Sequence, residues 1–403
     1  MANPRKYDFE TLIDRSGSGS EKWEQMKRLK PDVTPGIVPF SIADMELKNP
    51  PEVVEGLKLF LDETILGYFS PTKAYLDAVA EWMEKRHDWK IDPDWIVTSA
   101  GVVPGFYAAL RYLARPGEGV IVQTPVYYPF FGAIRDGGLT IVRNPLKLED
   151  GAYSIDFDDL EEKASDAKNK ILLFCSPHNP VGRVWTRDEL KKVGEICLRH
   201  KVLIISDEIH FDLIMPGYAH TVFASISEEL AENMVVCTAP SKTFNLAGLQ
   251  TSNFIIPHKR LRETFAEKQR AEGVSGVNII GAKACEIAYK QCGAWLDRLI
   301  ELVRLNHETV KAFFAEKLPG VRVFDLEGTY LQWLDFRGFG MDKIELEKFM
   351  RNEAELFLDE GYIFGEEGAG FERLNLGCPT STLVAALERL AAARLRQRDT
   401  NAF

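Results

Sequence analysis

The feature that most constrains this 403-residue chain is a regular alternation of continuous apolar runs with amphipathic helical stretches. The runs 171–175, 202–206 and 234–238 are apolar at nearly every position, which is typical of parallel strands covered on both faces. Between the first two runs, Thr186 and Glu189 have the spacing of a capping box, which predicts the start of a helix. Strand–helix alternation over this length predicts an α/β domain with a mostly parallel sheet.

The pattern changes in the last third of the chain, where strands and helices are mixed. There we predict a helix over 342–360 and a strand at 362–364, among other elements, and a smaller α+β domain from about residue 300 onward. The predicted division is an N-terminal arm that packs with the small domain (1–50), a large domain (51–300) and a small C-terminal domain (301–403).

Composition excludes several classes of partner. The chain has 49 Lys and Arg against 60 Asp and Glu, a net charge of −11, which argues against nucleic acid as its main partner. No stretch reaches the ~18 apolar residues of a membrane-spanning helix, so no membrane association is expected. The six cysteines are scattered without a Cys-x-x-Cys pair, which argues against a zinc site. We therefore expect a reduced, cytoplasmic protein without a metal.

Residues whose side chains can take part in binding or catalysis follow each apolar run. Asn179 follows the first run, Asp207 the second and Lys242 the third, while a small-residue turn at 99–105 follows a shorter strand at 96–98. This glycine-containing turn opens a helix, and a helix N-terminus behind a turn is a ready anion site. Because ligands bind beyond the carboxyl ends of parallel strands, we expect these groups to meet at one edge of the sheet.

Each of these groups also has an ordinary structural interpretation. Asn179 can be a turn residue, Asp207 a helix cap and Lys242 a surface lysine. Their joint occurrence, each after its own buried strand, argues against coincidence. Pyridoxal phosphate needs this set: a cradle for its phosphate, a lysine for its aldehyde, a donor for its 3-oxygen and a carboxylate for its pyridine nitrogen. A lysine in that role must be partly desolvated.

The motifs resemble those of a known enzyme family. Asn-Pro-x-Gly at 179–182, Asp-Glu at 207–208 and Ser-Lys-Thr at 241–243 occur in the order and approximate spacing of fold-type I pyridoxal-phosphate-dependent enzymes of the class I/II aminotransferase superfamily. The resemblance extends over essentially the whole chain. It implies pyridoxal 5'-phosphate as cofactor and an aspartate aminotransferase-like α/β fold. In that fold a large domain carries a mostly parallel seven-stranded sheet, beside a smaller α+β domain.

The same resemblance implies which residues contact the cofactor. Ser241 and the backbone of the turn would hold the phosphate, Tyr127 would stack on the ring, and Asn179 and His210 would touch the 3-oxygen. The backbone groups in question are those of Gly101, Val102 and Val103.

The resemblance also implies a substrate site. Arg373 matches the arginine that grips the substrate α-carboxylate, a role that suits a bidentate guanidinium; its ordinary interpretation is a surface ion pair. Asp44 and Asn179 are further candidates for contact with the substrate, and Tyr127 and Tyr128 are candidates for proton transfer.

A narrower branch is indicated by one departure and several markers. Many aminotransferases carry an arginine eight residues after the lysine, where this chain has Gln250. The departure fits the cystathionine β-lyase-like carbon–sulfur lyases. In that branch the tyrosine matching Tyr68 reaches the phosphate of the neighbouring subunit, which implies a homodimer. Glu46 and Leu47 replace the usual Asp-Phe, so the preferred substrate stays open. The markers are Ala43-Asp44-Met45, Gly67-Tyr68, His87-x-Trp89, Gly101-Val102-Val103-Pro104, Asp207-Glu208-Ile209-His210 and the 240–245 segment.

The expected function is a pyridoxal-phosphate-dependent β-lyase that cleaves L-cystathionine or related cysteine S-conjugates to a thiol, pyruvate and ammonia. Lys242 would take the Cα proton, and Tyr127, Tyr128 or Lys242 would protonate the leaving thiolate. The alternative is an aminotransferase, which shares the first half of the reaction but returns the proton to C4′ of the cofactor. A non-catalytic role in binding a partner protein is a third interpretation, against which the retained Lys242 argues.

Overall fold

A seven-stranded sheet forms the centre of the protein. The computed structural model describes residues 7–274 and 276–401, with side chains as far as residue 397. The strands of the described residues are β1 (Ile96–Ser99), β2 (Gly119–Val122), β3 (Thr140–Arg143), β4 (Lys147–Glu149), β5 (Ala152–Ser154), β6 (Asn169–Cys175), β7 (Leu203–Asp207), β8 (Met234–Thr238), β9 (Ser252–Ile255), β10 (Arg322–Val323), β11 (Leu331–Asp335), β12 (Asp359–Glu360) and β13 (Phe371–Asn375).

The large sheet has the order β1-β9-β8-β7-β6-β2-β3. The neighbours from β8 to β3 are parallel, and β9 alone runs against the strands on both its sides. The predicted mostly parallel seven-stranded sheet is therefore confirmed. All strands except β9 point the same way, so their carboxyl ends lie on a single edge.

Helices cover the sheet and complete the small C-terminal unit. The α-helices of the described residues are α1 (Glu21–Leu29), α2 (Pro51–Glu63), α3 (Lys73–His87), α4 (Val102–Leu113), α5 (Pro129–Asp136), α6 (Phe157–Ser165), α7 (Arg187–His200), α8 (Glu228–Ala231), α9 (Pro240–Thr243), α10 (Lys259–Ala271), α11 (Ile279–Gln291), α12 (Gly293–Lys317), α13 (Lys343–Lys348) and α14 (Thr380–Asn401). None of these helices combines the length and apolarity that a membrane crossing requires.

The continuous apolar runs are explained by burial on both faces. In β6, Ile171 and Leu173 pack into one hydrophobic core while Leu172 and Phe174 pack into the other. Alternate residues of a strand face opposite sides of a sheet, so a strand covered on both sides must be apolar throughout.

The small sheet is antiparallel, with the order β10-β11-β13-β12. Here the predictions for 342–360 and 362–364 are wrong. The helix α13 ends early and passes through a π turn at 349–353 into β12, and a 3₁₀ turn occupies 361–364 in place of the strand. The cause is long-range pairing, because Asp359 of β12 lies opposite Arg373 of β13.

The N-terminal segment runs along the C-terminal part of the chain. The Phe40 amide donates to the Phe357 carbonyl at 2.8 Å, and the Phe40 carbonyl accepts from the Asn375 amide at 3.0 Å. The helix α12 continues without a break through residue 300, where the boundary between large and small domains was predicted.

Candidate active site

A cavity lies at the carboxyl edge of the large sheet, and most of the predicted site residues line it. The lining residues are Ala43, Val102, Val103, Tyr127, Cys175, Asn179, Asp207, Ile209, His210 and Lys242. They come from the last residues of β6 and β7, from the segments that follow β1, β2, β6, β7 and β8, and from the N-terminal segment. The expectation that the strand ends bring these groups together is met by this geometry.

Lys242 lies on α9, the short helical turn directly after β8. Its Nζ donates to the Ala43 carbonyl at 2.6 Å. Burial of the amine lowers the pKa of Lys242 to about 8; Arg373 acts in the same direction, and Asp44 and Asp207 oppose it. A substantial fraction of this amine is therefore neutral, and hence nucleophilic, a little above neutral pH.

Asp207 is the last residue of β7 and is buried at the floor of the cavity. Burial raises the pKa of Asp207 to about 7, although Lys242 and the Ile209 amide, which donates to Oδ1 at 3.2 Å, favour the ionised form. A cationic group placed beside this carboxyl would keep it ionised and would itself be held in the protonated state.

An anion cradle is formed at the start of α4. Gly101, its N-cap, has φ +132°, and a Cβ there would lie 3.3 Å from Pro104 Cδ, so glycine suits this position. The first N–H groups of a helix, here including those of Val102 and Val103, have no partner within the helix and face the positive end of its dipole. Ser241 lies in the first turn of α9, beside Lys242. The set fits a phosphate group.

Arg373 joins the small sheet to the cavity. Its side chain is only 2% exposed. One Nη donates to Asn179 Oδ1 at 2.8 Å, the other pairs with Asp359, and Cζ lies 4.8 Å from the centroid of the Phe364 ring. Its Nε is buried without a hydrogen-bond partner among the described residues. The guanidinium therefore retains one donor that is not used within the described residues.

Two ring side chains complete the cavity wall. His210 is buried, its ring edge faces Tyr330 at 5.8 Å between centroids, and its Nδ1 has no partner among the described residues. Burial lowers the pKa of His210 well below its usual range, so the imidazole is neutral. Burial also raises the pKa of Tyr127, so that its phenol keeps its proton.

Besides Gly101, Ser241 and Arg373, which are described above, three predicted residues are not among those that line the cavity. Tyr68 is fully exposed, at 112% of the reference area, and Tyr128 is 37% exposed. The Asp44 carboxylate points away from the cavity into ion pairs with Arg15 at 2.7 Å and Lys22 at 2.9 Å, and it borders a neighbouring pocket. Their proposed roles in the cofactor and substrate sites stay predictions.

Three lining residues were not predicted as part of the site. The Ala43 carbonyl accepts from Lys242 and also from the Tyr330 hydroxyl at 2.8 Å. Cys175 and Ile209 line the wall on either side of Asp207. Cys175 could have been found, because it ends its strand in register with Asp207. A backbone carbonyl such as that of Ala43 leaves no signal in its residue type.

The donor set fits pyridoxal phosphate. The cavity brings together an amine, a carboxyl group, a neutral imidazole with an unpartnered nitrogen and helix N–H groups at a glycine turn. These are the groups that the aldehyde, the pyridine nitrogen, the 3-oxygen and the phosphate of that cofactor require.

Comparison with known proteins gives consistent results. A family model described as "Aminotransferase class I and II" matches residues 35–390. The chain is 42% identical to cystathionine beta-lyase PatB of Bacillus subtilis over 386 residues, covering 96% of this chain and 99% of the relative. It is 31% identical to protein MalY of Escherichia coli, covering 94% and 96%. It also superimposes on the crystal structure of cystalysin from Treponema denticola, which contains pyridoxal 5'-phosphate, with a TM-score of 0.95, 52% identity and coverage of 96% and 99%.

Proposed function

Given that the chain belongs to the class I and II aminotransferase family, we propose that it is a pyridoxal-phosphate-dependent carbon–sulfur β-lyase. Its substrates are L-cystathionine or related cysteine S-conjugates, and its products are a thiol, pyruvate and ammonia. The observation that carries the proposal is the enclosed Lys242 amine, which shares one cavity with Asp207 in a chain that is similar along nearly its whole length to a cystathionine β-lyase.

Each of these residues would bind a different part of the cofactor. Lys242 would bond the aldehyde, Asp207 the pyridine nitrogen and His210 the 3-oxygen, and α4 would hold the phosphate. When bound, the cofactor supplies an electron sink for the α-carbon of an amino acid. The Arg373 guanidinium, with its free Nε, would bind the substrate carboxylate and so orient the Cα–H bond toward Lys242.

Protons would then move through this chain's own side chains. Once the substrate's amino group has replaced Lys242 at the aldehyde, the released Lys242 amine would take the Cα proton, which its lowered pKa of about 8 permits near neutral pH. The Cβ–S bond breaks, and sulfur leaves with the bonding electron pair. Tyr127 and Lys242 line the cavity and can donate a proton to that sulfur, whereas Tyr128 lies further out. The three-carbon fragment that remains hydrolyses to pyruvate and ammonia.

The function is tested with purified protein, pyridoxal phosphate and L-cystathionine, with no keto acid present. The expected result is visible absorbance from bound cofactor and equal amounts of thiol and pyruvate, both lost in Lys242→Ala. The matched control is Lys268→Ala, because the Lys268 amine also donates to a backbone carbonyl at 2.6 Å but lies outside the cavity. Amino transfer that depends on a keto acid, with no pyruvate formed, would instead identify an aminotransferase.

We also propose that the active protein is a homodimer in which Tyr68 reaches the neighbouring site. Support comes from its complete exposure and from exposed apolar side chains in the segment just before it in the sequence: Val54, Leu59, Leu61, Ile65 and Leu66. Single apolar residues on a surface are ordinary, but a concentration of this kind marks an interaction site.

The dimer is tested by complementation. Lys242→Ala and Tyr68→Phe are purified separately, then mixed under conditions that allow subunits to exchange. If Tyr68 acts across the interface, each mixed dimer regains one complete site and activity exceeds that of either variant alone. If it acts within its own subunit, mixing restores nothing. Sedimentation of the unmixed proteins measures the oligomeric state directly.

The domain division and the cellular location are proposed in the same way. Residues 1–50, 51–300 and 301–403 would form the arm, the large domain and the small domain; the two main sheets, within 96–255 and 322–375, support this, with α12 passing between the two units. The six cysteines are free and buried, which supports a reducing compartment such as the cytoplasm.

A further inference from the structure

A buried carboxylate that does not line the cofactor cavity accepts a hydrogen bond from Thr243, the residue that follows the reactive lysine. The Asp212 side chain is fully buried and is contacted by three donors. The Thr243 hydroxyl donates to Oδ2 at 2.7 Å, the Trp82 indole donates to Oδ1 at 3.0 Å, and His87 Nε2 lies 2.7 Å from Oδ1. Trp82 and His87 both belong to α3, so Asp212 ties α3 to the turn that carries Lys242.

A second imidazole–carboxylate pair lies beside the first. His220 Nε2 is 2.8 Å from Glu208 Oε2, and the rings of His87 and His220 meet edge to face with centroids 6.0 Å apart. We call these four residues, His87, Asp212, His220 and Glu208, the imidazole–carboxylate cluster. The cluster is connected to the neighbours of both reactive residues. Glu208, a member of the cluster, follows Asp207 in the sequence, and Asp212 bonds to Thr243, which follows Lys242.

We propose that Asp212 is a positioning residue for Lys242, which acts by holding Thr243 and so fixing the 240–243 turn. This inference rests on the proposed function. Successive side chains on a helical turn diverge by about 100°. Thr243 is accordingly buried in the core while Lys242 reaches into the cavity. A hydrogen bond to a charged acceptor is among the stronger side-chain bonds, which suits it to hold a turn only four residues long.

A purely structural role for Asp212 makes a different prediction. In that case the three donors are equivalent, because each only ties an element to the core. Thr243→Val and Trp82→Phe would then lower the thermal midpoint of unfolding alike and leave the chemistry unchanged. If Asp212 positions Lys242, only Thr243→Val affects the lysine, since Trp82 is attached to α3 and not to the turn.

The expected size follows from the sensitivity of catalysis to geometry. A misplacement of about 1 Å costs roughly 10²-fold in rate. We therefore expect Thr243→Val to lower kcat between about 10-fold and 10²-fold with little change in KM, and to slow by a similar factor the recombination of apoprotein with pyridoxal phosphate. Thr243→Ser, which keeps the hydroxyl, should restore both. Thr243→Ala gives the same test without placing a methyl group against the Asp212 carboxylate.

The experiment measures four quantities on wild type, Thr243→Val, Thr243→Ala, Thr243→Ser and Trp82→Phe. They are kcat, KM, the rate at which visible absorbance returns when pyridoxal phosphate is added to apoprotein, and the unfolding midpoint. Loss of kcat and of recombination rate in the Val and Ala variants alone supports the positioning role. Wild-type rates in those variants, or failure of Thr243→Ser to restore them, would overturn it. A wild type that neither binds pyridoxal phosphate nor cleaves cystathionine would overturn the proposed function as well.

Discussion

The contribution of Arg373 to substrate binding can be worked out from its surroundings. Replacement by lysine keeps the positive charge beside Asp359, so the buried carboxylate retains a partner and the fold should persist. A lysine has no counterpart of the Arg373 Nε, so the variant loses the charge-assisted bond that this nitrogen would make to the substrate carboxylate. One such bond is worth about 1.5–3 kcal/mol, and each 1.4 kcal/mol is a factor of ten. We therefore expect kcat/KM for L-cystathionine to fall by about 10-fold to 10²-fold, mainly through KM.

The matched control is Arg337→Lys. Arg337 also pairs with an aspartate, Asp335 at 2.7 Å, and lies over the Phe371 ring at 4.7 Å, but its side chain is 57% exposed. Arg373 is buried and bonds to Asn179 of the cavity lining, so Arg337→Lys controls for a weakened guanidinium–carboxylate pair away from the cavity. The assay is steady-state release of pyruvate, with the unfolding midpoint of each variant measured in parallel. The reasoning is refuted if Arg373→Lys keeps kcat/KM within about threefold of wild type, or if Arg337→Lys loses as much.

Three further outcomes are expected. Burial raises the pKa of Asp207 from its ordinary ~3.9 to about 7, so folding takes up a proton and apoprotein stability falls as the pH rises from about 4 to 7. Asp207→Asn should hence stabilise apoprotein at pH 8 by up to about 4 kcal/mol, with the gain vanishing near pH 4 in denaturant titrations. Gly361→Ala should cost about 3 kcal/mol because its Cβ would lie 2.2 Å from the Gly368 carbonyl, whereas Gly293→Ala meets nothing within 4 Å and should be neutral or stabilising by calorimetry. Lys22→Met should cost about 3–5 kcal/mol in the same calorimetry, because the buried Glu46 carboxylate and the half-buried Asp44 carboxylate would lose a partner. A smaller loss would show that Arg15 suffices.

Local sequence predicted those parts of the site that depend on strand ends. Asn179, Asp207 and Lys242 each follow a run of residues that must be apolar because helices cover both faces of the sheet. Their convergence then follows from parallel topology alone. Arg373 could be predicted only by resemblance, since nothing local distinguishes it from other arginines.

The remaining features depend on contacts between distant segments. The strand β12 interrupts what reads as one helix because Asp359 pairs with Arg373, 14 residues away. The hydrogen bond from Thr243 to Asp212 spans 31 residues, and the identities of the two residues do not predict it. Register and backbone contacts of this kind follow from the tertiary fold and have no periodic signature in the chain.

The cavity draws its lining from segments that are remote along the chain, and this affects how the protein matures. The Lys242 amine and the Ala43 carbonyl that it contacts are 199 residues apart, and the bond from Arg373 to Asn179 spans 194. Contacts of such separation must offset the entropy of closing long loops and are slow to form. A nascent chain therefore lacks the complete lining until residues through Lys242 have been synthesised, and it lacks the Arg373 contact until later still. A ligand that needs the whole set captures only chains whose sheet is complete, and by mass action it retains them in that state.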